Sequence, residues 1–172
     1  ASIEVLKAEL LAWREANPDV DRIRGRGWIE THWPEGRFPS AADLDEVVGD
    51  IPVVLVRADG HALVANSEAM SAAGITAETQ PPSGGDILKD EDGAPNGMLI
   101  DNAMGLVGGL FAEPSVEDMT RFVSKGYDVY ASRGWTGLHN MSVGQTELDA
   151  LRQLAVQDNI KLRTYNAVNP DQ

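Results

Sequence analysis

Val53-Val54-Leu55-Val56-Arg57-Ala58-Asp59-Gly60-His61-Ala62-Leu63-Val64-Ala65 is the stretch on which the fold class turns. Two β-prone runs flank Asp-Gly, a pair that tolerates the positive φ angles of a type I′ turn, so the segment reads as a tight antiparallel hairpin. Downstream, Asn66 and Ser67 offer a cap for one or two helical turns over 68–73, with Gly74 behind them. Residues 76–97 are rich in Pro, Gly and acids and read as a long excursion. A second small hairpin is expected where Ile87-Leu88-Lys89 and Met98-Leu99-Ile100 flank Asp92-Gly93. Upstream, Ser40 and Asp43 form a capping-box pattern for a short helix carrying Leu44, Val47 and Val48 and closed by Gly49. The alternating stretch 28–33 suggests a strand. Ile3, Leu6, Leu10 and Trp13 recur at three- and four-residue steps and place an apolar face on an N-terminal helix. Ser2 is its expected cap, and Asn17-Pro18 its stop.

The texture changes after Pro114. Ser115 with Asp118 is another capping box, and Met119, Phe122, Val123 and Tyr130 form a helical face ending at Gly134. Residues 135–139 read as a short strand, Thr146 with Asp149 as the cap of a further helix through Leu148, Leu151 and Leu154, and 161–168 as a second strand. Strand, helix, strand at this spacing is a βαβ pattern with parallel strands. The fold class is therefore α+β passing into α/β.

The whole chain has 172 residues, 42% of them apolar and 24% charged, which suits a packed core and disfavours general disorder. Its net charge of −13 argues against a nucleic-acid partner, since phosphate contacts need clustered cations and the densest basic run is only Arg22-Ile23-Arg24-Gly25-Arg26. No apolar run reaches the roughly 18–20 residues of a membrane span, so no membrane partner is expected. Cysteine is absent, which removes disulfides, thiol nucleophiles and Cys-zinc sites and is compatible with a reducing, cytoplasmic location. Three histidines are few for a self-contained metallohydrolase, which needs three or four ligands and a base.

Catalytic signatures are mostly missing: there is no phosphate-binding loop, H-E-x-x-H, G-x-S-x-G or complete G-x-G-x-x-G. Lys89-Asp90-Glu91-Asp92-Gly93 resembles a calcium loop, but its first ligand position would fall on Leu88, so a solvated turn is the reading. His61 either hydrogen-bonds within its hairpin or contacts a substrate beside Arg57 and Asn66. Arg57 interrupts an apolar strand, which is costly unless its guanidinium meets an acid or a ligand. His139 falls at the C-terminal end of an expected parallel strand, where α/β folds place their sites. His32, between Thr31 and Trp33, reads as surface or structural.

The run from Leu55 to Met70, Arg57-Ala58-Asp59-Gly60-His61 and Asn66-Ser67-Glu68-Ala69-Met70 above all, resembles amidohydrolase family 3, the YtcJ-like metal-dependent hydrolases that include N-substituted formamide deformylases. Arg24-Gly25-Arg26-Gly27-Trp28, Trp33-Pro34-Glu35-Gly36-Arg37, Ala73-Gly74-Ile75, Pro95 with Gly97, and Gly134-Trp135-Thr136-Gly137-Leu138-His139 follow in the family's order. The resemblance implies a zinc-type hydrolase of non-peptide C–N bonds on a (β/α)8 barrel with a small inserted α+β domain. On that pattern residues 1–19 are the helix after the first barrel strand, 20–113 the inserted domain and 114–172 partial barrel βα units. The family's metal ligands would lie upstream of Ala1 and downstream of Gln172. The expectation is therefore an internal segment with no catalytic or metal residue of its own, zinc or another divalent metal belonging to the longer parent. Arg57, His61, Asn66, Asp101 and His139 would be walls for a small amide-type substrate, and the segment would be inactive alone and prone to self-association. Two departures stand out: the family's His-Asp is here His139-Asn140, and its Pro-Thr-Gly is Pro95-Asn96-Gly97, though Asp101 keeps the carboxylate. The rival readings are a non-catalytic binding or self-association module and, last, a carbohydrate-acting enzyme with paired carboxylates.

Overall fold

The computed structural model describes residues 1–169, and the last three residues of the 114–172 segment lie outside it. The chain forms two compact units, Ala1–Phe111 and a second beginning at Ala112. The first holds the elements α1 (Ile3–Ala16), β1 (Ile23–Trp28), α2 (Ala41–Asp45), β2 (Val53–Arg57), β3 (Ala62–Ala65), α3 (Ser67–Ala72), β4 (Gly85–Lys89) and β5 (Pro95–Asp101), then a 3₁₀ helix, Asn102–Leu110. The second holds α4 (Val116–Ser132), β6 (Gly137–Val143), α5 (Gln145–Val156) and β7 (Arg163–Val168).

The hairpin that opened the sequence reading is the centre of a five-stranded sheet ordered β1-β2-β3-β5-β4. β2 and β3 pair antiparallel with Leu55 opposite Val64, and β4 and β5 form the second hairpin with Ile87 opposite Leu99. The turn between β2 and β3 is not type I′. Only Gly60 takes a positive φ, 81°, and its N–H bonds back to the Arg57 carbonyl. β2 is apolar at four successive positions because both sheet faces are covered. Val53, Leu55, Ala62 and Val64 pack with Ile3, Leu10, Leu44 and Val48 on one face. Val54, Val56, Leu63 and Ala65 pack with Ala69, Met70, Ala103 and Val107 on the other.

Three local expectations are corrected. The strand expected at 28–33 runs instead from Ile23 to Trp28, in parallel with β2. Trp28 and Trp33 both enter the same apolar cluster, their rings 6.1 Å apart, which requires the chain between them to turn rather than extend. The capping box at Ser40 and Asp43 is present in full, but its helix closes at Asp45 and only a loosened turn carries Val48 inward. Thr146 does not cap α5, which begins one residue earlier behind Gly144, while Asp149 bonds Gln145 and Arg152 instead.

The second unit is the expected βαβ: β6 and β7 lie parallel, joined by α5, with Leu138 opposite Thr164 and His139 opposite Tyr165. Tyr127, Val143, Leu151, Leu154 and Leu162 form its core. Among the described residues no helix is long and apolar enough to cross a membrane.

Asp43 ties the cap of α2 to Arg37 by two hydrogen bonds of 2.7 and 2.8 Å. Burial pushes its carboxyl up, but the Arg37 guanidinium and the Ser40 hydroxyl and N–H outweigh burial and bring it down to about 2. A carboxyl lowered on folding stabilises the fold at pH values above its unfolded pKa and loses that contribution as pH falls through its folded one. The unfolding free energy of the wild type, read by urea titration, should therefore exceed that of Asp43→Asn by about 1–2 kcal/mol at pH 6, with the gap closing between roughly pH 4 and 2. A gap that persisted at pH 2 would contradict it.

Candidate functional site

The richest group of chemical side chains in the first unit sits where β1, β2 and β5 end and β3 begins. The apolar character of β2 stops at Arg57, which emerges half-buried from the sheet. Its guanidinium meets Glu30 in a two-pronged pair, Nε to Oε2 at 2.8 Å and Nη2 to Oε1 at 2.7 Å, and also bonds Asp59. The Arg57 hydrogen bonds hold the Glu30 carboxyl below its usual value and, reciprocally, Glu30 raises Arg57. Of the two partners the sequence allowed, an acid or a ligand, it is an acid that satisfies the interrupted strand.

Asp59 accepts the His61 backbone N–H at 3.1 Å, and this bond, reinforced by Arg57, lowers its carboxyl. The Arg26 guanidinium donates to the Ala58 carbonyl at 3.1 Å, closing over the turn. His61 Nδ1 lies 2.8 Å from Asp101 Oδ1, and the Asp101 N–H donates to the His61 carbonyl at 3.0 Å. Two residues 40 positions apart are thus joined at both backbone and side chain. Arg57, His61 and Asp101, all candidates from sequence, fall in one cluster. Glu30 and Asp59 belong to it too and were missed. The cost of an unpaired Arg57 was a signal that an acid or a ligand must answer it, but not which.

Asn66 does not share the cluster's surface. It is fully buried at 0% exposure. Its side-chain oxygen accepts the N–H groups of Val53 and Ala69, both at 2.9 Å, and its amide donates to the carbonyls of Val48 and Ile51, both at 2.9 Å. That exhausts the two donors and two lone pairs of an asparagine. The expectation that Asn66 contacts substrate is corrected: it caps α3 and knits that cap to the start of β2.

His139 belongs to the second unit and is the third of seven residues in β6, rather than its last. Regular pairing with β7 runs through Asn140 before a register shift, which carries the strand past the histidine. The exposed His139 ring lies 5.6 Å from Tyr165 in an open cleft of about 660 Å³ also lined by Tyr130, Trp135 and Arg163. Asn140 donates to Glu147 of α5.

A zinc site needs at least three protein ligands. Among the described residues no group of three or more His, Asp or Glu could hold a metal ion. His61 and Asp101 are two donors committed to each other, and the neighbour of His139 is an amide. The described residues do not by themselves form a metal centre.

The architecture is mixed α/β, and residues 1–170 match the model of the Amidohydrolase family, so the chain belongs to that family. It is 40% identical over 114 residues to Protein LONG AFTER FAR-RED 3 of Arabidopsis thaliana, covering 66% of this chain and 19% of that protein. It is 31% identical over 140 residues to the N-substituted formamide deformylase of Arthrobacter pascens, covering 79% of this chain and 26% of the enzyme. The fold is similar to that of an uncharacterized metal-dependent hydrolase from Pyrococcus horikoshii, with a TM-score of 0.64 at 23% identity over 99% of this chain and 32% of that one. The chain thus spans about a third or less of the length of each.

Proposed function

We propose that the chain is a segment of a metal-dependent amidohydrolase that hydrolyses non-peptide C–N bonds of the amide type in a small molecule in the cytoplasm. In this reading residues 20–113 are an inserted α+β domain, 1–19 the helix leading into it, and 114–172 βα units of a (β/α)8 barrel. Arg57, His61, Asp101 and His139 are pocket walls, and zinc or another divalent metal is held by residues of the longer protein. One observation carries the reading: a family match running over residues 1–170 in a chain that spans only 19% and 26% of two relatives' lengths. The deformylase among those relatives supports the amide-type substrate.

The direct test is to equilibrate the 172-residue chain with zinc, dialyse it, measure bound metal by atomic emission and assay hydrolysis of N-substituted formamides and anilides. Metal well below one per chain and no turnover are expected. Stoichiometric zinc with turnover would overturn the reading of this segment as inactive alone. A second reading, a self-associating binding module, is favoured by the exposed Trp135, Met141 and Tyr165 of the second unit, where among the described residues β6 and β7 each pair on one side only. Light scattering on the same sample reads its stoichiometry.

A further inference from the structure

Asp101 has φ 45° and ψ −119°, the geometry of the first central residue of a type II′ turn, which is dominated by glycine. It is one of two non-glycine residues with positive φ among those described. The other, Asp158 at φ 54°, follows the end of α5, where a left-handed residue is ordinary. Asp101 also precedes the 3₁₀ helix without capping it, since its side chain makes no bond to that helix. Local structure therefore gives no reason for an aspartate here and a clear reason for glycine. What the aspartate does make is the 2.8 Å bond to His61 Nδ1. Strained backbone of this kind persists only where the surroundings over-determine it, and it concentrates at functional positions.

The direction of that bond fixes the imidazole. An ionised carboxylate can only accept, so the proton of neutral His61 resides on Nδ1, and the lone pair is on Nε2. The rest of the residue is pinned as well, its N–H on Asp59 and its carbonyl on the Asp101 N–H. The His61 side chain is 75% exposed and Asp101 49%, and among the described residues Nε2 has no hydrogen-bond partner.

We propose that Asp101 is a positioning residue, held in a glycine-type conformation for the sake of its carboxylate, and that it presents His61 Nε2 as a fixed proton acceptor facing solvent. The group it takes is an N–H or O–H donor. Assigning that donor to the N–H of an amide-type substrate rests on the amidohydrolase reading, whereas the pair itself does not. When a donor is acidic enough to give up its proton to Nε2, the resulting imidazolium keeps its Nδ1–H on Asp101 and gains the carboxylate as counter-charge. Arg57 and Glu30 are satisfied by each other, so they leave the carboxylate of Asp101 to the histidine.

The test uses the ¹⁵N-labelled 172-residue chain at pH 8. Long-range ¹H–¹⁵N correlation should find His61 in the Nδ1–H tautomer in the wild type and shifted towards Nε2–H in Asp101→Gly. The melting temperature of Asp101→Gly should equal the wild type's or exceed it by a few degrees, because the strain is relieved. Acylation of His61 by diethyl pyrocarbonate, referred to His139 in the same molecule, should slow several-fold in Asp101→Gly. A wild-type His61 in the Nε2–H form overturns the proposal. So does an Asp101→Gly variant that melts lower with its tautomer unchanged, which would make Asp101 structural. No arm requires metal or turnover, so failure here leaves the amidohydrolase reading standing, and failure there leaves the pair standing.

Discussion

Replacing Asn66 with alanine is expected to destabilise the first unit by about 3–5 kcal/mol, read from the urea midpoint at constant m. The loss of a helix N-cap alone costs about 1 kcal/mol. Here the same side chain also satisfies the Val53 N–H and the Val48 and Ile51 carbonyls, and the residue is fully buried. Truncation leaves those groups without partners where water cannot replace them, at about 1–3 kcal/mol each before relaxation. A domain's whole stability is about 5–15 kcal/mol, so the variant should sit close to unfolding under ordinary conditions. Asn66→Asp makes the argument specific. It keeps both acceptor roles but loses both donors and buries a charge, so it should also be strongly destabilising. A shift below about 1 kcal/mol for both variants would mean that the buried network contributes little.

Gly97→Ala should be at least as damaging, above about 4 kcal/mol, with loss of soluble folded protein as the practical result. Gly97 lies in β5 at φ 96°, and a Cβ there would stand 2.4 Å from the Ala65 carbonyl oxygen and 2.8 Å from the Ala41 N–H nitrogen. Both are backbone atoms in packed elements, so neither can give way cheaply. Gly93→Ala is the control. At φ 83° it carries a comparable conformational penalty, but nothing lies within 4 Å of the added carbon. It should cost about 1–2 kcal/mol, and the difference between the two variants isolates the close approach of β5 to Ala41 and Ala65. Equal costs would assign the whole effect of Gly97 to its backbone angle.

The hairpins, four caps and the βαβ unit were legible in the sequence because each strand, turn and cap carries its own local pattern, even where the strands it joins pair at a distance. Ser40 and Asp43, or Ser115 and Asp118, carry both partners of a capping box in four residues, and Asp59-Gly60 and Asp92-Gly93 mark their turns directly. The strand misplaced at 28–33 has the opposite character. Its alternation is real, but the pairing of Ile23 to Trp28 with β2 depends on residues some thirty positions away, and the burial of both tryptophans in one cluster turns the following chain. The 3₁₀ helix after β5 carries no comparable signal in its own sequence.

The candidate site divides the same way. Its residue types at Arg57, His61 and Asp101 could be picked out one at a time, and the family could be recognised from the ordered motifs around them. Asn66 was singled out correctly as a helix cap, since a cap needs only the three residues after it. Its connections to Val48, Ile51 and Val53 are what make it a buried node, and they exist only once α2, β2 and α3 converge. Sequence by itself determined the local chemistry: where hairpins turn and most caps sit, that Arg57 needs an acid or a ligand, and which family the motifs follow. Tertiary structure alone decided that Glu30 is that acid, that Asn66 is spoken for, and that Asp101 reaches His61. Hydrogen bonds are satisfied by proximity in space, and proximity across 27 or 40 residues is set by sheet order and packing rather than by the residues' own identities.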